Sequence, residues 1–481
     1  MKSVWQEECN FQRRQELDKD LDIDVLIVGG GITGILTSYI LKENGVNSVI
    51  IEADRICTGN TQRTTAKITL QHGLIYEKLI REYGEDKAKQ YAKANEEAIK
   101  KYKDIVEKNN IECEFCEIPN YIYTVNRVDD LKKEFEAEKK LGIDAELIEK
   151  IELPVEVKLA LKVNNQAQFN PLKFLEYIAK DLTIYENTRA LDIKDNIVNV
   201  GKYNINAKNI IIATHYPIIN FPGYYFMRMH QERSYVLALE NAQDLNGMYI
   251  GIDSDGYSFR KYKNLLLLGG AAHRTGDNEM GGKYDSLRKL AKKIYPNSKE
   301  VYSWSAQDCM PCDDIPFIGK YSNDTPNIYV ATGYKKWGMT TSMVAAMIIT
   351  DMIKGQKNEY EDVFSPRRFD ISDSMKNIFK DGLESVKGLA LEIFNIPDYE
   401  LKDIEKGHGG IVEYNGAKAG VYKDKEGKCH IVSTKCPHLG CEVKWNADEL
   451  TWDCPCHGSR FDYNGRWIES PAQGGLNNEH Q

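Results

Sequence analysis

Apolar and polar positions alternate along this chain in blocks that change period. Asp24-Val25-Leu26-Ile27-Val28 is a short continuous apolar run, which predicts a strand buried on both faces. Gly29-Gly30-Gly31-Ile32-Thr33-Gly34 follows at once. A helical spacing then runs through Ile35, Leu36, Tyr39, Ile40 and Leu41 until Gly45 ends it. Ser48-Val49-Ile50-Ile51-Glu52 is the next strand. Residues 85–109 read as a helix with Ala88, Tyr91, Ala92, Ile99, Tyr102 and Val106 on one stripe, interrupted by Asn95. Tyr121–Val125 and Tyr235–Leu239 look like strands of an antiparallel sheet, and Tyr257–Arg260 with Leu265–Leu268 like a hairpin. Gly338 opens an apolar helix over Met343–Ile353. From Gly355 to Arg368 the chain turns polar. Met375, Ile378, Phe379, Leu383, Val386, Leu389 and Ile393 then mark an amphipathic helix, whose mixed-sign polar face suits docking on the preceding domain. From Ile411 onward short alternating strands are punctuated by turns at Asn415-Gly416 and Glu426-Gly427.

Size and charge narrow the class. A chain of 481 residues is too long for one core, so two or three domains are expected. A net charge of −9 argues against nucleic acid or an anionic membrane as partner. No window approaches the apolar length of a membrane-spanning helix. Met1–Asp22 is polar and lacks the apolar centre of a signal peptide, so the expected location is cytoplasmic.

The first glycine segment carries chemistry. Strand, G-x-G-x-x-G, helix, strand and a terminal acid 18 residues after Gly34 make a full dinucleotide-binding unit. Gly29, Gly31 and Gly34 let the backbone approach a pyrophosphate at the helix N-terminus, and Glu52 is placed for ribose hydroxyls. The run Arg63-Thr64-Thr65-Ala66-Lys67-Ile68-Thr69 reads as small hydroxyl residues opening a helix, with Thr64 and Thr65 as further phosphate or flavin contacts.

The last segment holds two more boxes, Cys436-Pro437-His438-Leu439-Gly440-Cys441 and Cys454-Pro455-Cys456-His457-Gly458-Ser459. Each offers one thiolate and one imidazole, spaced C-x-H, fifteen residues, C-x-x-H. A Rieske-type [2Fe–2S] cluster needs two cysteines on one iron and two histidines on the other. Cys436, His438, Cys454 and His457 are the candidate ligands. Tetrahedral zinc uses the same residue types but needs neither the second cysteine pair nor the Gly-Ser after His457. Ser459 has a role in the cluster reading, since its hydroxyl can donate to a bridging sulfide.

These boxes resemble the high-potential Rieske proteins over roughly the last 75 residues. That resemblance implies a disulfide between Cys441 and Cys456, exceptional in a reducing compartment. The family often has tyrosine where this chain has Phe461, which cannot donate a hydrogen bond, so a potential below the family's upper end is expected. Pro471-Ala472 would supply a covering loop.

Three earlier segments resemble the FAD-dependent amine and D-amino-acid oxidases of the glycine oxidase-like superfamily. They are the glycine unit, Ile210–His215, and Asp313–Gly319 with Asn327–Gly333 and Gly338. The resemblance implies FAD rather than NAD, with Gly333 and Gly338 also at the flavin. It also implies that His230, Arg233, Arg260, His273 and Arg274 lie where this architecture faces the flavin. One departure bears on substrate. The amino-acid oxidases carry a carboxylate-clamping arginine eight residues before the proline of D-x-x-P-x-I-G, and here that position is Asp308. A cationic amine, or a substrate with no acid group, fits Asp308 better. Cys309 and Cys312 form a Cys-x-x-Cys beside the expected pocket and could act as a redox dithiol; Cys113 and Cys116 share the spacing alone.

The expected architecture is α/β, an FAD-binding Rossmann-like domain with an inserted α+β substrate domain, followed by an all-β Rieske domain. The FAD-dependent part spans 20–365, with flavin segments at about 20–80, 160–216 and 311–357, and substrate segments at about 81–159 and 217–310. A helical linker covers 366–400 and the Rieske domain 401–481. The expected function is oxidation of a small amine-like substrate at FAD, with electrons passed singly through the [2Fe–2S] cluster to an unidentified acceptor. A redox sensor or electron-transfer module without turnover is the alternative. A Rieske oxygenase is disfavoured because no iron-binding catalytic domain follows the cluster.

Overall fold

The computed structural model describes residues 2–368 and 400–476; the amphipathic helix expected at 375–393 lies outside them. The strand Leu21–Val28 sits inside a sheet ordered 317–320, 328–332, 204–212, 21–28, 49–51, 183–185. Its apolar half is buried on both faces, as the continuous run requires. Val28 pairs in parallel with both Ile51 and Ile212, so three strands end at one level and the glycine turn leaves from that edge. The helices Ile32–Glu43 and Gly338–Ile353 cover one face, with Ile35, Leu36, Met343 and Val344 wholly buried.

A nine-stranded sheet lies against the first, ordered 299–311, 229–240, 265–274, 258–262, 248–251, 116–124, 159–168, 67–68, with 145–148 on the outer edge of 159–168. The helix Glu85–Asn109 forms as its stripe predicts. Asn95 is buried there; its Nδ2 donates to Tyr91 O at 2.9 Å within the helix, while its Oδ1 is buried without a hydrogen-bond partner.

Two expectations shift. Leu159–Gln168, assigned above to a flavin segment, instead pairs antiparallel with Cys116–Thr124 in the second sheet. The chain returns to the first sheet only after Asn170, whose Oδ1 accepts from Leu172 N and Lys173 N and caps the helix Pro171–Ile178. The Thr64-Thr65 pair does not open a helix. It follows one 3-10 turn at Asn60–Arg63 and leads into the strand Lys67–Ile68, which pairs with the second sheet.

The C-terminal part is all-β. A three-stranded meander joins Gly409–Tyr414, Ala417–Lys423 and Cys429–Ser433, with the first turn at Asn415-Gly416, both at positive φ. A four-stranded antiparallel sheet joins Lys444–Asn446, Thr451–Asp453, Arg460–Asp462 and Trp467–Glu469. Trp445, Trp452, Phe461 and Cys454 share its core.

This β domain seats on the second sheet through charge. The Arg233 side chain, fully buried, pairs with Glu449 at 2.6 Å and Glu469 at 3.5 Å. Arg460 reaches Asp453, Glu449 and Glu469 at 3.0, 3.1 and 3.4 Å, and Arg63 also pairs with Glu469. Asn278 adds bonds to Asn446 and Asp448, at 3.0 and 2.9 Å. Three guanidiniums balance three carboxylates, so the buried charges are compensated.

Candidate active site and cluster centre

The glycine turn is built for close approach. A Cβ on Gly29 would stand 2.5 Å from Ala213 O, at a φ of +113°, and one on Gly34 would stand 2.0 Å from Gly29 O. Gly34 therefore serves strand–helix packing. Gly31 supplies no side-chain cap to the helix that begins after it, Thr61 Oγ1 accepts from Ile32 N alone at 3.0 Å, and the first turn holds no acid. That leaves a positive backbone end suited to a pyrophosphate. Glu52 accepts from Gly30 N at 2.7 Å and Asp54 N at 3.0 Å, which fixes its carboxylate at the strand end. Burial pushes its pKa up, against those two bonds.

From this turn a cavity of about 470 Å³ runs between the two sheets. Gly29, Gly31, Glu52, Thr64, Thr65 and Gly338 all line it. Gly34 and Gly333 do not; Gly333 sits at φ +74° against Met229 and Phe317. A helix end with no acid in its first turn, a glycine cradle and an acid at the next strand fit FAD.

Of the substrate-pocket candidates only Asp308 lines the cavity. Its carboxylate meets Asn60 Nδ2 at 3.5 Å, and burial raises its pKa despite nearby Lys336 and His215. The other five are elsewhere. His230 pairs with Glu232 at 3.5 Å off the cavity. Arg233 belongs to the interdomain charge network. The Arg260 guanidinium donates to Thr65 O, to Ala66 O and Phe169 O at 2.8 and 2.9 Å, and to Gln168 Oε1 at 2.8 Å. It is a brace for the 65–66 backbone. His273 stacks on Tyr235 and is bonded to its hydroxyl at 3.0 Å. Arg274 lies near His457, on the cluster side. Cys309 is buried in an apolar cluster; neither it nor Cys312 lines the cavity or forms a disulfide. Cys113 and Cys116 are likewise unbridged, one buried and one exposed.

The cluster boxes converge. The rings of His438 and His457 stand 4.9 Å apart and perpendicular. His438 Nε2–H donates to Asn220 Oδ1 at 2.8 Å, and His457 bonds to the Phe226 backbone. Nδ1 of both rings is buried with no hydrogen-bond partner. An orphaned imidazole nitrogen is costly unless something binds it, and a metal does so while the outer N–H fixes the ring. Burial lowers both imidazoles, to about 4 for His438 and about 3 for His457, so both hold the neutral, ligating form. The Cys436 and Cys454 thiols are in hydrogen-bond contact. That bond, with the Ser459 hydroxyl behind it, draws Cys436 down to about 7, while Cys454 rises. Cys441 and Cys456 are joined in a disulfide that links the two boxes. Ser459 Oγ accepts from Ala472 N at 2.9 Å, so the Pro471-Ala472 loop closes over the boxes. Two bare imidazole nitrogens facing two thiols fit a [2Fe–2S] cluster.

The cavity and the cluster boxes share a wall. Gln231 lines the cavity and its Nε2 donates to His457 O at 2.5 Å. Gln307 lines it too and donates to Gly458 O at 2.8 Å. Gly458 lies so close that a Cβ would stand 2.7 Å from Gln231. Trp467, Ile468, Glu469 and Ser470 of the β domain also line the cavity. Sequence reading missed these residues, along with Lys67, His215 and Lys336. A contact between segments 151 or 226 residues apart leaves no local signal.

Comparison with known proteins agrees with this construction. Residues 24–352 match the FAD dependent oxidoreductase family and residues 395–479 the Rieske [2Fe-2S] domain. The chain is 40% identical over 487 residues to the Rieske 2Fe-2S iron-sulfur protein YhfW of Bacillus subtilis (strain 168), covering 98% of this chain and 96% of that protein. It is 22% identical to gamma-glutamylputrescine oxidoreductase of Escherichia coli (strain K12), over 72% of this chain and 87% of that one. Among solved structures, glycine oxidase from Geobacillus kaustophilus superposes with a TM-score of 0.61 at 17% identity, covering 73% of this chain and 100% of that chain, a likeness of fold. Among the described residues no helix is long and apolar enough to cross a membrane. The chain belongs to the FAD dependent oxidoreductase family and carries a Rieske [2Fe-2S] domain at its C-terminal end.

Proposed function

We propose that the protein oxidises a small amine-like substrate at FAD and delivers the electrons one at a time, through the Rieske cluster, to an acceptor. When bound, FAD supplies a two-electron acceptor and the [2Fe–2S] cluster a one-electron acceptor. In this reading Gly29, Gly31, Glu52, Thr64, Thr65 and Gly338 hold the flavin, while Gly34 and Gly333 shape the fold around it. Cys436, His438, Cys454 and His457 hold the cluster. Asp308 faces the substrate, its carboxylate favouring a cationic amine; the name of gamma-glutamylputrescine oxidoreductase points to an amine as well. Trp467 and Glu469 help exclude water.

The observation that carries the reading is the shared wall. Gln231 touches the cavity on one side and the His457 carbonyl on the other, so one side chain joins the cavity wall to the second cysteine–histidine box. The test is anaerobic. The holoprotein is given one flavin equivalent of electrons and its EPR spectrum recorded. A Rieske-type signal is expected; a cluster that stays oxidised while the flavin bleaches rejects the coupling. A parallel bleaching screen with amines, amino acids and hydroxy acids tests the substrate class. Cluster reduction without turnover on any amine would favour a sensor.

A further inference from the structure

We propose that Lys67, with the hydroxyls of Ser258 and Thr65 beside it, forms a subsite for a carboxylate on the amine substrate. Two edges of the second sheet meet the cavity. Asp308 stands in the strand at one edge with Lys336 near it, while the charge of Glu469 on the same wall is already balanced by Arg63, Arg233 and Arg460. Lys67 stands in the strand at the other edge, with the Arg260 guanidinium near it but off the cavity, and among the described residues neither has a carboxylate within ion-pair distance. Arg260 spends its donors on backbone carbonyls and Gln168, so its charge remains while its hydrogen bonds are used. Lys67 differs. It lines the cavity, and Nζ meets only Thr65 Oγ1 at 3.1 Å and Ser258 Oγ at 3.5 Å. An enclosed ammonium with only hydroxyl partners has an unmet demand for an anion.

The cavity runs past it, lined there by Ser258, Gly269 and Gly270. A Cβ on Gly269 would stand 2.7 Å from Ser258 Oγ, and one on Gly270 would stand 2.8 Å from the Tyr257 ring. Only glycines leave the strand flat beneath those side chains. Burial, with Arg260 adding like charge, lowers Lys67 to about 7 and favours the neutral amine, whereas a carboxylate beside it would favour the ammonium. The absent arginine at position 308 thus does not exclude an acidic substrate. It moves the cation to the opposite edge of the second sheet, and a molecule with its amine towards Asp308 and its carboxylate towards Lys67 fits the two edges. This deepens the amine reading and rests on it for the amine alone.

The experiment uses FAD-loaded holoprotein and a series of probes, acetate, propanoate and butanoate, each beside its neutral amide. Binding is followed by calorimetry and by perturbation of the flavin absorbance. Carboxylates are expected to bind and amides to bind at least tenfold more weakly. Lys67→Met should weaken carboxylate binding at least tenfold, and Lys67→Arg should retain most of it. Equal binding of acid and amide, or unchanged affinity in Lys67→Met, overturns the proposal. So does a Lys67→Met protein whose flavin spectrum changes while probe affinity does not, because Lys67 would then serve the flavin. Carboxylate binding through Lys67 with no amine able to bleach the flavin would leave the subsite standing and reject the amine reading.

Discussion

Arg233 shows how the two domains are held, and its replacement gives a worked prediction. The side chain is fully buried and its guanidinium faces Glu449 at 2.6 Å and Glu469 at 3.5 Å across the domain seam. Burial opposes its charge, yet the acids opposite keep its pKa raised. Arg233→Met leaves three carboxylates, Glu449, Asp453 and Glu469, facing only Arg460 and Arg63. Breaking one partner of a buried pair costs about 3–5 kcal/mol. At about 4–8 °C per kcal/mol for a domain of this size, the loss is on the order of 20 °C in the unfolding of the β domain. Visible circular dichroism of the cluster and fluorescence of released flavin follow the two domains separately. In the wild type the signals are expected to be lost together. In Arg233→Met the cluster signal should go first, and cluster reduction after flavin reduction should slow. Coincident transitions within about 2 °C of the wild type would refute the view that this network seats the domain, since that is under 1 kcal/mol.

Gly34→Ala places a methyl 2.0 Å from Gly29 O, so purified protein should hold far less than one FAD per chain; full occupancy would contradict the packing role. Cys441→Ser opens a link with a sequence separation of 15, and a loop of that size is worth about 3 kcal/mol, read as earlier loss of the cluster signal on heating. Lys67→Met makes a pH-dependent prediction. The folded protein holds Lys67 near 7 while its ordinary value is 10.5, so folding favours the neutral form. The cost is absent above 10.5, grows as pH falls and is complete below about 7, where it reaches at most about 5 kcal/mol. Lys67→Met should therefore melt higher than wild type at pH 7 with the gap closing towards pH 10; a gap that does not vary with pH would refute the assignment.

Both cofactor sites were legible because their information is local. The glycine turn is one strand, one turn and one helix, and the proposed iron ligands sit in two boxes whose spacing suits the metal. The cavity was not legible. Gln231 lines it, and so do Ser234, Tyr235 and Val236, which between them have both parities in the same strand. A register shift against the neighbouring strand falls between Arg233 and Tyr235 and changes which residues face inward. No periodic pattern announces such a bulge, so His230 and Arg233 were assigned to a pocket that they do not reach. Arg260 failed for another reason. A buried arginine satisfies backbone carbonyls or neighbouring charges as readily as it meets a ligand, and the choice depends on contacts made far along the chain.

The two family matches stop at 352 and resume at 395, which reads as two modules in series. The contacts say otherwise. Trp467 and Glu469 line the flavin-side cavity, Asn220 holds His438, and Gln231 and Gln307 hold the backbone of the second box. Each domain therefore completes a site in the other: the β domain closes one side of the cavity, and the flavin-binding part fixes the outer nitrogen of a histidine placed to ligate iron. A protein that needed only a detachable electron carrier would have no use for burying Arg233 against Glu449. Fixed seating keeps the interval between the centres constant. It also makes the shape of the substrate cavity depend on the cluster domain, so loosening the seam should alter substrate binding as well as electron delivery.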